Sequence, residues 1–274
     1  MRTKQAAVLF LFICFFARPA AAETLTAVPG GMTLVARPAS PALHRIHRVV
    51  LDAGHGGKDS GAVSPAGLKE KRLALEMTRK VKKELELRGL EVVMTRNSDV
   101  FIPLSERAAL ANEGGTDFFV SIHANASTAP LLQGFEIYYL SEATDDAALA
   151  LERAENSSAR FGAVSGPPSR ELKTIFWDLR EAENRRESLR MAQKIMAVVN
   201  GSIGVAPRRV KSANFYVLKW TECPAILIEI GYLTNAADER RLRSAAYKRE
   251  LSHAIVEGIL RHKTEYEITD GFTR

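Results

Sequence analysis

Three side chains that can bind a metal stand at the ends of apolar, strand-like segments or at the start of a helix. His55 follows the segment 49–53, His123 ends the segment 117–123, and Glu70 heads the amphipathic helix predicted between them. Two imidazoles and one carboxylate form a ligand set of catalytic zinc sites, in which water takes the fourth position. Magnesium and calcium prefer shells of oxygen ligands. The sequence therefore predicts a zinc site at His55, Glu70 and His123.

The glycines around His55 allow a second interpretation, a glycine-rich nucleotide-binding loop. The segment Gly54-His55-Gly56-Gly57 lets the backbone approach a bound group closely. It is not G-x-G-x-x-G, because Asp59 occupies the last glycine position, and no G-K-[ST] follows. The short H-E-x-x-H zinc motif is also absent, so the proposed ligands are dispersed and their spacing alone is weak evidence. Their position at strand ends still favours a metal, because open α/β sheets bind ligands there.

A carboxylate, Glu229, lies within the strongly apolar segment 226–231. Burying a carboxylate is costly unless the group has a function. In a metal-dependent hydrolase, Glu229 would act as the base that takes a proton from water and passes it to the leaving nitrogen. A buried structural ion pair is the alternative. Together with the three predicted ligands, Glu229 favours a metal-dependent hydrolase.

From about Arg48 onward, apolar strand-like runs alternate with amphipathic helices. The predicted strands are 49–53, 90–96, 117–124, 134–140, 214–218 and 225–231, and the predicted helices are 70–88, 104–112, 186–200, 238–242 and 247–261. This order predicts a single α/β domain over 48–264, a mostly parallel twisted sheet with helices on both faces. Residues 23–47, rich in Pro and Gly, are predicted to be a linker or arm, and residues 265–274 a C-terminal tail.

The connection over 142–185 is longer than an ordinary loop, which is typical of a lid or a disordered insertion. Its apolar residues are not typical of a linker. They predict two short amphipathic helices separated by Gly166-Pro167-Pro168, the first over 147–154 and the second on Leu172, Ile175, Phe176 and Leu179. We therefore expect a helical insertion in the catalytic domain.

The amino terminus has the pattern of a secretory signal peptide over residues 1–22. A basic MRTK precedes the apolar AAVLFLFICFF, and ARPAAA supplies small residues at the cleavage position. The apolar run is shorter than the roughly 20 residues that span a bilayer, which disfavours an uncleaved membrane anchor. We expect an exported, periplasmic protein with no stable membrane span after cleavage. Cys223 would then be the one remaining cysteine, so no internal disulfide is expected.

The charge of the mature chain is predicted to be only mildly basic. The formal net charge is +6, and the leader carries Arg2, Lys4 and Arg18 and no acid, which leaves +3. This balance is typical of a solvated surface of mixed charge, although it could also favour anionic surfaces such as the cell envelope. No basic and aromatic pattern of a nucleic-acid module is present, so nucleic acid is not expected as a partner.

Several of these segments resemble the zinc-dependent N-acetylmuramoyl-L-alanine amidases that cut peptidoglycan during cell separation. The resemblance covers about 49–261 and rests on DAGHGGKDSGA, GLKEK, RNSD, SIHANA, GFEIYYLS and PAILIEIGYLTN. It implies zinc on His55, Glu70 and His123, with Glu229 as the catalytic glutamate. It also implies hydrolysis of the amide between the lactyl group of N-acetylmuramic acid and the L-alanine of the stem peptide, in septal wall splitting.

The resemblance also implies a role for the insertion 142–185. In the subgroup that division-associated activators switch on, a helix here lies over the zinc, and one of its glutamates takes the open coordination position. Glu155 is similarly placed, which implies autoinhibition, and Leu172, Ile175, Phe176 and Leu179 would form the surface that binds an activator. An ordinary solvated helix with an apolar face on the core is the alternative. The residues before Arg48 are too few for the localisation domain of many members, so localisation is expected from a partner, from the catalytic domain itself, or not at all.

Two other functions would use the same fold. One is a non-catalytic peptidoglycan-binding or scaffolding protein, which Glu229 disfavours because a binder needs no base beside a metal. The other is a zinc peptidase that acts elsewhere on the stem peptide. The same ligands would serve either cut, so the products must distinguish them.

Overall fold

The computed structural model describes residues 45–129, 131–161, 175–204 and 208–269. The predicted signal peptide 1–22, most of the predicted linker 23–47, and Leu172 lie outside these ranges. Within them, no helix combines the length and the apolar character that crossing a membrane requires.

A mostly parallel sheet forms the centre of the domain. Its strands are β1 Arg48–Ala53, β2 Glu91–Met94, β3 Phe118–Asn125, β4 Phe135–Leu140, β5 Arg208–Ala213 and β6 Ala225–Tyr232. Their order is β2-β1-β3-β6-β4-β5, and every neighbouring pair is parallel except β4 and β6. The predicted α/β class and the predominantly parallel pairing are confirmed.

Helices cover both faces of the sheet. They are α1 Glu70–Leu87, α2 Leu104–Ala111, α3 Asp146–Asn156, α4 Ile175–Ser202, α5 Tyr216–Lys219, α6 Ala236–Arg243 and α7 Ala245–Thr269, with a 3-10 turn over Ser157–Phe161. Because successive side chains of a strand point to opposite faces, Val49 and Leu51 pack with α1, α4 and α7, whereas Val50 packs with α2, α3 and α5. Strands buried on both faces explain the continuous apolar runs in the sequence.

The strand predicted over 214–218 is wrong. The structure has β5 at Arg208–Ala213, with the sequence RRVKSA, and residues Tyr216–Lys219 form one helical turn. Among the strands of the described residues, β5 lies at the edge of the sheet and pairs only with β4. An edge strand does not need a continuous apolar run, and buried Lys211 is neutralised by Glu136 at 3.1 Å.

The helix predicted over 186–200 begins earlier, at Ile175. No Gly or Pro interrupts the sequence from 175 to 200, and ion pairs one turn apart link Glu181 to Arg185 and Glu183 to Arg186. The second short helix predicted in the insertion is therefore not separate, because Ile175, Phe176 and Leu179 belong to the first turns of α4.

Both ends of the domain extend beyond the predicted boundaries at 47 and 264. Ile46 is buried, and its N–H donates a 2.8 Å hydrogen bond to Glu267 of α7. The helix α7 continues to Thr269, and Tyr266 packs its ring against Phe118 of β3. Residues 265–269 are thus part of the packed domain.

Candidate metal centre

The carboxyl ends of the inner strands bring the predicted metal ligands together. His55 follows β1, His123 lies near the end of β3, and Glu70 begins α1. One donor atom from each of these residues, and one from Glu155 near the end of α3, all lie within 4.8 Å of one another. The structure therefore joins the three predicted ligands and the predicted inhibitory glutamate in one cluster.

Four of the six spacings between these donor atoms are close to those of a tetrahedral metal site. His55 Nε2 lies 3.0 Å from Glu70 Oε1 and 3.2 Å from Glu155 Oε2. His123 Nδ1 lies 3.0 Å from the same oxygen of Glu70 and 3.1 Å from that of Glu155. Zinc bonds of about 2.0–2.1 Å in a tetrahedron place neighbouring donor atoms about 3.3 Å apart. The four distances are close to those tetrahedral edges.

The hydrogen bonding of His55 also favours a cation in the cluster. Its Nδ1 lies 2.8 Å from Asp59 Oδ2, so in the neutral ring Nδ1 donates and Nε2 carries a lone pair. That Nε2 is buried and faces the carboxylate oxygens of Glu70 and Glu155, and it has no hydrogen-bond partner within the ranges that the structure describes. A cation between these atoms would satisfy all three.

The electrostatics of the cluster point the same way. Although burial disfavours the imidazolium, the carboxylates of Glu155 and Glu70 raise the pKa of His123 to about 10. The pKa of His55 is raised well above its ordinary value by Glu70 and Glu155, again against the effect of burial. The two carboxylates thus attract positive charge, which a bound divalent cation supplies while the imidazoles stay neutral ligands.

Backbone contacts fix the position of the Glu70 carboxylate. Its two oxygens accept hydrogen bonds from the N–H of Ala62 at 2.8 Å and from that of Ala124 at 3.0 Å. Ala62 lies in the loop after β1, and Ala124 follows His123 in β3. Glu70 is therefore oriented by the same two segments that carry the histidines.

The loop that carries His55 is held by a buried ion pair between Asp52 and Arg107. His55 has a left-handed backbone, with φ of 58°, which is strained in a residue other than glycine. Arg107 donates from Nη2 to the carbonyl oxygen of His55 and from Nη1 to Asp52, both at 2.7 Å. Thr95 and Ser121 donate to the same carboxylate of Asp52. Arg107 thus supports the conformation that aims His55 at the cluster.

Glu229 lies beside the cluster in the middle of the sheet. It is opposite His123 in the pairing of β6 with β3 and opposite Glu136 in the pairing with β4. Among the described residues, neither of its carboxylate oxygens has a hydrogen-bond partner, and the side chain is fully buried. Burial raises the pKa of Glu229 well above its ordinary value; His123 opposes this shift, and the nearby carboxylates add to it. A carboxyl group in this setting is suited to accepting a proton.

The first helix of the insertion packs on the core and also reaches the cluster. Ala148 and Leu151 of α3 are buried against the face of the sheet that α2 and α5 cover. The end of α3 is tied to the turn after β5 by Glu152, which accepts from the N–H of Asn214 at 2.8 Å, and by Asn156, which accepts from that of Tyr216 at 2.7 Å. The helix α3 therefore packs an apolar face on the core, as an ordinary helix would, and also places Glu155 in the cluster.

The insertion makes a second contact with the centre, through Ser158 in the 3-10 turn. Its hydroxyl donates a 2.8 Å hydrogen bond to Asp59 Oδ2, the oxygen that also holds His55 Nδ1. Asp52, Asp59, Arg107 and Ser158 are not among the predicted site residues. An acid within the apolar strand β1 was the available signal for Asp52, the same signal that singles out Glu229.

The predicted activator surface stays a prediction. Leu179 is exposed on α4, with 62% of its surface accessible. Ile175 and Phe176 lie in the first turn of the same helix, and Leu172 is outside the described residues.

Comparisons with known proteins agree with the resemblance seen in the sequence. A model of the N-acetylmuramoyl-L-alanine amidase family matches residues 49–261. The amidase AmiC of Neisseria meningitidis is 38% identical over 216 residues, which cover 78% of this chain and 52% of the relative. The amidase AmiA of Escherichia coli K12 is 33% identical over 77% of this chain and 74% of its own length.

A solved structure has the same fold. AmiC2 of Nostoc punctiforme superposes with a TM-score of 0.59 at 31% identity, covering 78% of this chain and 96% of that one. The chain spans about half the length of the AmiC relatives that it matches. The family match covers all of the sheet except Arg48 and every residue of the cluster, and the chain therefore belongs to the N-acetylmuramoyl-L-alanine amidase family.

Proposed function

We propose that this chain is a zinc-dependent N-acetylmuramoyl-L-alanine amidase of peptidoglycan. Its substrate bond is the amide between the lactyl group of N-acetylmuramic acid and the L-alanine of the stem peptide. The observation that carries the proposal is the convergence of His55, Glu70 and His123 beside Glu229, a buried carboxylate without a hydrogen-bond partner among the described residues. Membership of the amidase family supports the choice of bond.

The residues of the chain divide the chemistry among them. A bound zinc would polarise the amide carbonyl and lower the pKa of a coordinated water toward about 7. His55, Glu70 and His123 would hold the metal, and Asp59 keeps His55 in the tautomer that leaves Nε2 free to bind. Glu229 accepts a proton from the attacking water and donates it to the leaving nitrogen. Its raised pKa favours proton uptake during the reaction.

Glu155 is proposed to keep the enzyme inactive until the insertion moves. Its carboxylate lies within about 0.2 Å as close to His55 and His123 as that of Glu70 does, and it would therefore occupy the fourth coordination position that water or substrate needs. Displacement of α3 would open this position, which makes the insertion a two-state switch. The contacts of Glu152, Asn156 and Ser158 favour the closed state. A division-associated activator protein that binds α4 around the exposed Leu179 would favour the open state.

We further propose export to the periplasm through the signal peptide predicted over 1–22, and a role in septal wall splitting and cell separation. The names of the AmiC and AmiA relatives support the activity, and the predicted leader supports the location. Two other functions are distinguished by the test described next. One is a binding protein without turnover, and the other is a zinc peptidase that acts elsewhere on the stem peptide.

The test compares the mature protein with the variants Glu155→Ala and Glu229→Ala, each loaded with zinc and incubated with peptidoglycan fragments. Products are identified by mass spectrometry. Intact stem peptides that begin with L-alanine, absent with Glu229→Ala, would establish the amidase. Shortened stem peptides would establish the peptidase instead. No cleavage by any folded, zinc-loaded form would favour the binding protein and refute the role given to Glu229.

A further inference from the structure

A cleft on the outer side of α1 is lined by basic side chains. Its volume is about 700 Å³, and one wall is formed by a stripe of basic side chains from residues 69–83, which run along α1. The cations that line it are Lys69, Arg72, Arg79, Lys80, Lys83 and Arg243. The apolar residues Leu68, Leu73 and Leu75 also line the cleft. The cleft therefore combines positive charge with an apolar floor.

The acids of this cleft are neutralised by other lysines. Glu76 lies 2.6 Å from the Nζ of Lys248, and Asp99 lies 2.8 Å from that of Lys71. Across the cleft, Glu239 neutralises Arg243 at 2.8 Å. Over the part of the chain that the structure describes, no carboxylate pairs with the remaining five cations, Lys69, Arg72, Arg79, Lys80 and Lys83. The stripe thus keeps its positive charge.

This charge is unfavourable for the helix itself. Arg79 and Lys83 are four residues apart, and Lys80 and Lys83 are three apart, so like charges face each other on one side of α1. The packing of α1 does not need them, because its opposite side is buried through Met77, Val81 and Leu85. Uncompensated cations along a cleft concentrate anions there. An anionic ligand would offset the repulsion within the stripe.

The position of the cleft indicates which anion it meets. Lys69 directly precedes Glu70, whose carboxylate lies in the metal centre. On the other side, Asp99 lines the cleft, while Phe101 and Ile102 of the same loop line the pocket around His55 and His123. From Lys69 to Lys83 the stripe is about 21 Å long, at about 1.5 Å per helical residue. A polymer with one bond in the metal centre could therefore continue along α1.

We propose that this cleft is a second binding site for peptidoglycan, which holds the carboxylates of stem peptides next to the one being cut. The proposal rests on the proposed function for the identity of the polymer. It gives the catalytic domain its own means of staying on the wall, through ionic contacts with carboxylates and apolar contacts with the floor of the cleft.

The test measures binding without turnover, so that it is independent of the amidase assay. The full mature chain carrying Glu229→Gln is sedimented with isolated peptidoglycan sacculi, with and without the triple change Arg72→Glu, Lys80→Glu and Lys83→Glu. We expect the triple variant to bind about tenfold or more weakly at low ionic strength, and the difference to shrink as salt is added. Sacculi whose carboxylates have been converted to amides should bind the chain without the triple change about as weakly as untreated sacculi bind the triple variant.

A control variant carries the same change of charge elsewhere, Arg240→Glu, Arg249→Glu and Arg261→Glu on α6 and α7, none of which lines the cleft. Equal losses in both variants would show an effect of net charge alone and overturn the proposal. Unchanged binding of the cleft variant would also overturn it. The proposal would also be overturned if the cleft variant lost binding only to phosphatidylglycerol vesicles and kept its binding to sacculi. That result would make the cleft a membrane-binding surface. The neutral variant Lys80→Gln, Lys83→Gln replaces the triple variant if thermal unfolding shows that the latter is not folded.

Discussion

Ser158 donates a 2.8 Å hydrogen bond to Asp59, and both side chains are buried. Because the same oxygen of Asp59 holds Nδ1 of His55, the insertion contacts the metal centre at two points, through Ser158 and through Glu155. A movement of α3 would therefore withdraw a donor atom from the cluster and alter the surroundings of one histidine in a single step.

Replacing Glu155 with Ala should raise the basal rate of peptidoglycan cleavage. The substitution removes the carboxylate proposed to occupy the fourth coordination position, while His55, Glu70 and His123 remain. We expect an increase of about 5- to 150-fold, the range of typical coupling energies between two states. Dye release from labelled sacculi, with metal content measured on the same samples, checks this. Asp146→Ala, an exposed acid at the start of the same helix, is the control; equal rates in the two variants would remove Glu155 from the mechanism.

Replacing Ser158 with Ala should also raise the basal rate, but less. The change removes one hydrogen bond of the closed state, worth about 0.5–1.5 kcal/mol, which corresponds to about a 2- to 12-fold shift toward the open state. The matched control is Ser157→Ala, because the hydroxyl of Ser157 bonds to Ala154 within the insertion. A Ser158→Ala variant as inactive as the parent would show that the contact with Asp59 does not hold the insertion closed.

Replacing Glu229 with Gln should abolish activity and stabilise the fold. Loss of a general base reduces rates by about 10²–10⁴. At the same time, the neutral amide cannot ionise beside the carboxylates of Glu70, Glu155 and Glu136, so the charge repulsion within this buried site falls and the free energy of unfolding should rise by about 1 kcal/mol. Urea denaturation of the apo forms checks this prediction.

The neighbouring Glu136→Gln is the matched control for the stability effect. Glu136 accepts hydrogen bonds from the hydroxyls of Tyr138 and Tyr232 and neutralises Lys211. Its replacement should lower the free energy of unfolding, because Lys211 loses a buried partner. Changes of the same sign in the two variants would contradict this account of Glu229.

Stability should fall in mildly acidic solution because of His262. Burial lowers the pKa of this imidazole from 6.5 to about 4, so protonation is disfavoured in the folded state. The contribution of His262 to stability is therefore complete above about pH 6.5 and is lost as the pH falls toward 4, by up to about 3 kcal/mol. In His262→Gln the free energy of unfolding should depend less on pH over this window. His253→Gln, an exposed histidine on the same helix, should retain the dependence of the parent.

The residue types of the site could be predicted from the sequence, whereas their supporting contacts could not. His55, Glu70 and His123 are recognisable because ligand-type side chains follow buried strands or begin the helix between them. The bond from Ser158 to Asp59 joins residues 99 positions apart, and no local pattern indicates it. The strand β5 escaped prediction for a similar reason, since its sequence is polar and its pairing with β4 and the bond from Lys211 to Glu136 exist only in the folded chain.

The place of the insertion in the sheet has an evolutionary consequence. It connects β4 to β5, and β5 is an edge strand, whereas the cluster of three ligands and Glu229 comes from β1, α1, β3 and β6. A connection at the rim of the sheet can be lengthened, shortened or exchanged while the register of the inner strands is kept. If the insertion inhibits the enzyme as proposed, control and chemistry are encoded on separable stretches of the gene, and relatives that answer to different signals, or to none, could arise from this framework without a change in any proposed ligand.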